Sequence, residues 1–160
     1  MTTDIKKYAF KTGLPQEFEI LDIASTFETQ KDILTSIHRT GFYHIIWFQK
    51  GCPTHLVDFN PIEIKPNTLL FLNKNVVQRF DSTIKFEGKV LIFTDSFFCK
   101  TETDTKFLRN TILFNDLFSV SQILLEKQTE VFEIFLQQMT EELQLTIDNV
   151  QADILHNLLH

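Results

Sequence analysis

The sequence predicts an antiparallel β-barrel or sandwich that is followed by amphipathic helices. Two observations predict this fold class. Between residues 42 and 80, short apolar stretches alternate with turn residues at close and even intervals, which is typical of antiparallel architectures rather than of βαβ units. After Asp95 the chain contains neither proline nor glycine, which favours helix. A chain of 160 residues with 43% hydrophobic content fits one globular domain.

Aromatic and β-branched residues mark the strands, and Gly, Pro and Asn mark the turns between them. The predicted strands are 42–49, 54–59, 62–64, 68–72 and 76–80. The predicted breaks are Lys50-Gly51-Cys52-Pro53, Asn60-Pro61, Pro66-Asn67 and Asn73-Lys74-Asn75. Strand alternation puts Phe42, His44, Ile46 and Phe48 on one face and Tyr43, Ile45, Trp47 and Gln49 on the other. Both faces are largely apolar, so the sequence does not decide which one lines the interior.

The spacing of apolar residues predicts the helices in the C-terminal part of the chain. Thr103-Asp104 is a candidate cap for a short helix through Ile112, and 118–125 is ambiguous, with a short extended link as one interpretation. Apolar residues three or four apart predict a helix over 126–145. Residues 146–149 interrupt the pattern, and a last helix follows from Val150 with its apolar periodicity still running at the end of the chain.

The same region resembles a known family. The residues that carry the resemblance are His38-Arg39, Phe42-Tyr43, Trp47-Phe48-Gln49-Lys50-Gly51, Thr54-His55, Val57-Asp58-Phe59, Ile64-Lys65-Pro66-Asn67-Thr68, Gly88-Lys89-Val90-Leu91-Ile92-Phe93 and Phe97-Phe98. Together they resemble the N-terminal domain of AraC-type bacterial transcription regulators, which belongs to the cupin superfamily. The resemblance implies a cupin-like antiparallel β-barrel, a double-stranded β-helix, over 1–100 and a helical dimerisation segment over 101–160. It also implies a helix-turn-helix DNA-binding domain after residue 160.

Charge and cysteine content restrict the partners and the compartment. The chain has 15 basic and 21 acidic residues, and its longest basic cluster is Lys6-Lys7. Phosphate recognition needs basic residues concentrated on one face, so this segment is not expected to bind DNA by itself. Cys52 and Cys99 have no metal-binding spacing, and no apolar run is long enough to cross a bilayer. These features predict a soluble, cytoplasmic protein with reduced thiols.

The sequence predicts neither a metal centre nor an enzyme. A metal-binding cupin carries a His-x-His pair, an acidic residue and a later His. In this chain the pair reads His38-Arg39-Thr40, and the later His of the resembling pattern falls near Gln78. There is no Gly-x-Ser-x-Gly elbow and no phosphate-binding loop. No cofactor is expected.

The resemblance implies a small-molecule effector inside the barrel. Polar and aromatic side chains of a suitable kind lie on or beside the first strand of the pattern, namely His38, Arg39, Tyr43, His44 and Trp47. Trp47 could stack on a ring, and Arg39 could pair with a carboxylate or phosphate. The alternative for Tyr43 and Trp47 is a place in the core, and for Arg39 a solvated charge at the strand end.

The C-terminal helices predict a homodimer. Their apolar residues occupy more than one face, and a second apolar face is usually buried against a partner. The expected interface residues are Phe132, Leu136, Leu143, Leu155 and Leu159. The sequence therefore predicts the effector-sensing and dimerisation domain of an AraC-type regulator. The alternatives are a small cupin enzyme, such as an isomerase or metal-dependent oxygenase, and a stand-alone small-molecule-binding protein.

Overall fold

The computed structural model describes residues 5–11, 17–111, 114, 121–125, 128–143, 154 and 158–159. Its elements in chain order are β1 Lys6–Tyr8, β2 Phe18–Asp22, α1 Ile23–Leu34, β3 His38–Thr40, β4 Tyr43–Lys50, β5 Thr54–Val57, β6 Asn60–Glu63, β7 Thr68–Leu72, β8 Gln78–Arg79, β9 Glu87–Phe93, α2 Asp95–Phe98, α3 Glu102–Asn110, β10 Ser121–Leu124 and α4 Thr129–Leu143.

The strands form two five-stranded sheets. Sheet A has the order β1-β3-β8-β5-β6, and sheet B has the order β10-β7-β4-β9-β2. Neighbouring strands are antiparallel except for β1 and β3, which pair in parallel. Among the described strands, none of sheet A pairs with one of sheet B, so the two sheets face each other as an open sandwich rather than a closed barrel. The predicted fold class, antiparallel sheets followed by helices, is confirmed.

Sheet B is buried on both faces, and each face belongs to a different core. Its inner face, which includes Ile46, Phe48 and Val90, packs against side chains of sheet A and of α1. Its outer face, which includes Tyr43 and Trp47, packs against the helices that follow the strands. Alternation along β4 therefore decides which side chains reach the space between the sheets.

Two turns show how local backbone geometry sets the strand ends. Gly51 follows β4 with φ of 92°, a conformation that glycine adopts without a steric penalty, as the predicted turn at 50–53 requires. The predicted break at Asn60-Pro61 is wrong, because both residues lie in β6. The hairpin turns instead at Asp58 and Phe59, both with positive φ, and Pro61 is tolerated because β6 is an edge strand.

Helix α1 is an element that the sequence patterns did not predict. It starts directly after β2, where the Asp22 carboxylate accepts a hydrogen bond from the Ser25 backbone N–H at 3.1 Å. Gln30 has φ of −130° and ψ of 26°, which breaks the helical path before the last turn. Phe27 contacts the rings of Phe80 and Phe86 edge-on and so anchors the helix over the sandwich.

The C-terminal half agrees with the predicted pattern in outline. Helix α3 is capped by Thr101 rather than by Thr103-Asp104, and Asp104 completes the capping box from inside the helix. The ambiguous link contains β10, which pairs with β7 at the edge of sheet B. Helix α4 lies within the predicted 126–145. Most of 146–160 lies outside the described residues, and the division of the chain at residue 100 stays a prediction.

Within the described residues, no helix combines the length and the apolar character that crossing a lipid bilayer requires.

Candidate functional site

A cavity of about 610 Å³ lies between α1 and the inner face of sheet B. Its walls come from β2, α1, β3, the start of β4, the second half of β9 and the segment around β1. Cavities of this size accommodate small molecules in other proteins. The cavity is partly open, and α1 forms its cover.

Most of the wall is apolar. Aliphatic and aromatic side chains from both sheets and from α1 line it, including Ile23, Ile33, Phe42, Val90 and Ile92. An occupant would therefore gain free energy mainly by burying apolar surface, at about 25 cal/mol per Å².

The polar floor of the cavity is formed by His38, Thr40 and His44, which are all buried. The Nδ1 atom of His38 lies 2.8 Å from the Ser36 carbonyl oxygen. Because a carbonyl only accepts, Nδ1 carries the ring proton and Nε2 is left with a lone pair. The Thr40 hydroxyl donates to the Phe42 carbonyl at 3.1 Å.

A chain of buried polar groups continues from this floor into the space between the sheets. The Nε2 of His55 donates to the Oε1 of Gln78 at 3.0 Å. The Gln78 amide nitrogen then approaches the His44 ring, at 3.4 Å from Nε2 and 3.5 Å from Nδ1. The Nδ1 of His55 is buried and has no hydrogen-bond partner among the described residues. Buried groups so loosely satisfied are costly, which is typical of functional rather than purely structural positions.

Burial keeps the interior imidazoles uncharged. It lowers the pKa of His44 to about 3, with a further contribution from repulsion by His38 and His55. It lowers the pKa of His55 to about 4 and is also the main reason why the pKa of His38 lies below its ordinary value. At neutral pH the floor is therefore polar but carries no charge.

Charged groups of the cavity lie at its rim. Lys11 is exposed, and the lining also contains the carboxylates of Glu19 and Asp22. Asp22 pairs with Lys89 at 3.6 Å, and the hydrogen bond from the Ser25 backbone lowers its pKa. The rim thus offers a bound molecule carboxylates as well as one exposed ammonium group.

Two of the five predicted ligand-binding residues line the cavity, and the other three do not. His38 and His44 line the cavity. Tyr43 and Trp47 point to the outer face of sheet B, where the Tyr43 hydroxyl donates to Asp95 at 2.8 Å and the Trp47 indole donates to Asn67 at 3.0 Å. Arg39 is not among the lining residues, because it alternates with His38 and Thr40 along β3. Its half-buried side chain has a buried Nε with no hydrogen-bond partner among the described residues.

The predicted interface residues lie mostly against sheet B. Leu136 is only 4% exposed, and Phe132, Leu143 and Leu159 pack partly buried on the same core. Leu155 lies outside the described residues. The described side chains of this set therefore already pack against the core of the single chain. The exposed apolar face of α4 consists of Val131, Ile134 and Phe135.

The site contains residues that the sequence patterns did not single out. The cover is α1, whose signal was the Asp22 cap before a stretch free of Gly and Pro, with Ile23, Phe27 and Leu34 on one face. Gln78 was noted only as the place of a lost histidine, and its amide joins His44 to His55.

Among the described residues, no group of three or more His, Cys, Asp or Glu side chains is arranged to hold a metal ion. His38, His44 and His55 lie in one region of the interior. The side chain that contacts both His44 and His55 there is the Gln78 amide.

No protein-family model and no curated protein matches the chain. Solved structures of ToxT from Vibrio cholerae, an AraC-family regulator, are similar. An apo variant of ToxT superposes with a TM-score of 0.51 at 13% identity, over 90% of this chain and 53% of that chain. ToxT bound to (E)-4-(8-methylnaphthalen-1-yl)but-3-enoic acid gives 0.49 at 13% identity, over 90% and 54%. The chain spans about half the length of these structures, and the likeness is one of fold.

Proposed function

We propose that this chain is the effector-sensing domain of an AraC-type transcription regulator. The observation that carries the proposal is the 610 Å³ cavity, which has apolar walls and a polar, uncharged floor. A domain built only for stability gains nothing from such a space, because cavities and loosely bonded polar groups lower the free energy of unfolding. The sequence resemblance and the fold shared with ToxT support the assignment to this family.

In this proposal the effector enters under α1 and binds in the cytoplasm, while DNA is contacted by a separate helix-turn-helix domain that follows residue 160. The chain's net charge of −6 supports this division of labour, because a surface that grips phosphates is basic. The protein acts as a homodimer through its C-terminal helices, so that two such DNA-binding domains read two half-sites. The domain itself is not an enzyme.

A binding screen tests the sensing role. The chain is mixed with a library of small molecules, and its melting temperature is measured with and without each compound. A compound that binds the folded state raises the melting temperature. Ile33→Trp, which fills the cavity from α1, is the matched variant and is expected to abolish the effect. Failure of every compound, or an equal effect on the variant, would refute an effector site in this cavity.

Two further measurements separate the alternatives. The gene downstream of the codon for His160 is expected to encode a basic helix-turn-helix region of about 100 residues, the usual size of a small domain. A stop codon at that point would favour a stand-alone binding protein. Metal analysis of the purified protein addresses the enzyme, since a stoichiometric transition metal would favour a metal-dependent oxygenase or isomerase.

A further inference from the structure

We infer that the effector is an uncharged, largely apolar molecule that donates a hydrogen bond, from a hydroxyl group, to Nε2 of His38. This inference rests on the proposed function and specifies the ligand class of the same cavity. It follows from the hydrogen-bonding capacity that the buried floor of the cavity has left over after the protein's own contacts are counted.

His38 offers the cavity an acceptor. Its Nδ1–H is used by the Ser36 carbonyl at 2.8 Å, and no described residue forms a hydrogen bond with Nε2. The side chain is 97% buried, with 3% of its surface exposed, and it lines the cavity. An acceptor on the cavity wall that no described residue engages favours a ligand that brings a proton, such as an alcohol or a phenol.

The serine and threonine hydroxyl groups of the cavity have also used their protons. Thr40 donates to the Phe42 carbonyl at 3.1 Å, and Thr26 on α1 donates to the Asp22 carbonyl at 2.8 Å. Ser25 donates to the Asp22 carboxylate at 3.1 Å, and Thr29 donates to the Thr26 carbonyl at 3.4 Å. What these oxygen atoms retain is acceptor capacity, so they reinforce the preference for a donor.

Anions are disfavoured by the same geometry. A carboxylate on the floor would face the His38 lone pair instead of a cation, and a buried unpaired charge is costly. The ammonium group of the lining belongs to Lys11, which is exposed, and the lining also contains the carboxylates of Glu19 and Asp22. Burial keeps His38 and His44 in their neutral forms, so they do not replace the missing cation.

Calorimetric titration of the chain near neutral pH with three matched probes tests the inference. The probes are para-hexylphenol, its methyl ether and para-hexylbenzoate, which share an apolar body and differ in the polar end. One neutral hydrogen bond corresponds to a roughly two- to tenfold difference in affinity. We expect the phenol to bind tighter than the ether by this factor and the benzoate to bind more weakly than both.

The variants assign the preference to one residue. In His38→Leu, which removes the acceptor at similar volume, the phenol and the ether are expected to bind equally. Arg39→Leu is the matched control, because Arg39 is adjacent but does not line the cavity, and it should keep the preference. If His38→Leu does not fold, the comparison of the three probes on the unmodified chain still decides the ligand class.

Three results would overturn the inference: equal binding of phenol and ether to the unmodified chain, a preference for the benzoate, or binding of none of the probes. Any of them leaves the proposed function standing if the screen finds another compound whose binding Ile33→Trp abolishes. The effector-sensing role itself fails when no compound binds in the cavity.

Discussion

The two faces of sheet B are built from the same strands but differ in how closely their side chains are packed. On the outer face, Phe93 stacks on Tyr43 with ring centroids 5.3 Å apart, and Trp47 meets Phe132 of α4 edge-on at 5.0 Å. On the inner face, His44 and Val90 border a cavity and a chain of buried polar groups. The outer face is closely packed, and the inner face keeps space and unused acceptors. Dense packing and the cavity wall are thus separated by the parity of residues along one strand.

The largest expected effect distinguishes dense packing from the cavity wall. Phe93→Ala removes a ring that is 1% exposed and touches Tyr43, Phe98 and Phe114, so the free energy of unfolding should fall by about 3–5 kcal/mol. Phe42→Ala on the inner face should cost less, because one side of that ring borders the cavity and has fewer contacts to lose. Urea unfolding measures both. A larger loss for Phe42→Ala would contradict the contrast between the faces.

The next effect is confined to the inner face and depends on pH. Since the pKa values of His44 and His55 are about 3 and 4 in the folded chain and 6.5 ordinarily, the unfolded chain binds protons that the folded chain excludes. Stability is full above pH 6.5 and declines as the pH falls below it, by up to about 1.4 kcal/mol per pH unit for each histidine.

Unfolding at a series of pH values between about 5 and 7, where most carboxylates stay ionised, measures this slope. His44→Gln should reduce this slope by up to about half, since His55 and, to a smaller extent, His38 still contribute. The control on the outer face is Tyr43→Phe, which should leave the slope unchanged. A slope that His44→Gln does not alter would mean that His44 is not held neutral by burial.

A smaller effect concerns the main polar contact of the outer face. Asn67 has φ of 64°, accepts from the Trp47 indole, and donates to the Leu125 carbonyl at 2.6 Å and to the Thr129 hydroxyl at 2.7 Å. Asn67→Gly keeps the backbone conformation and removes these bonds, so it should cost about 1–3 kcal/mol. Asn67→Ala should cost more, because alanine is strained at this φ. Equal losses, measured by thermal unfolding, would mean that the backbone contributes nothing.

The smallest effect on stability is expected on the solvent side of α4. Ile134 is 56% exposed, so Ile134→Glu should change the free energy of unfolding by less than about 0.5 kcal/mol. In a homodimer formed through this exposed face, the same change should weaken association, which sedimentation velocity measures. Unaltered association would place the interface elsewhere, and a monomeric parent chain at high micromolar concentration would argue against the dimer.

The strands were predictable where residue type and turn signals agreed. The run 68–72 is bounded by turn residues on both sides, and β7 has these limits. The hairpin at Asp58 and Phe59 was missed, because Phe59 with φ of 68° lacks the usual Asn-Gly signal. Helix α1 was missed because most of its surface is exposed and polar, so its apolar periodicity is weak.

The candidate site was only half predictable. Alternation sorted β4 into two faces correctly, but both faces are apolar, and the helices that cover one of them come from distant parts of the chain. The pattern therefore could not tell whether the face with His44 or the face with Tyr43 and Trp47 borders the cavity. The relation of Gln78 to His55 is a contact across sheet A, between strands that only the fold brings together.

Because β2 continues directly into α1, the two ends of this helix are attached to the sheets in different ways. At the N-terminal end of α1, Asp22 caps the helix, ends a strand that pairs with β9, and contacts Lys89. At the C-terminal end of α1, the turn after Gln30 is joined to the sandwich by the hydrogen bond from the Phe80 N–H to the Leu34 carbonyl at 2.8 Å. Releasing that bond costs roughly 1 kcal/mol, whereas moving the start of α1 means breaking strand pairing. The C-terminal end of α1 is therefore held to the strands by less hydrogen bonding than its start is.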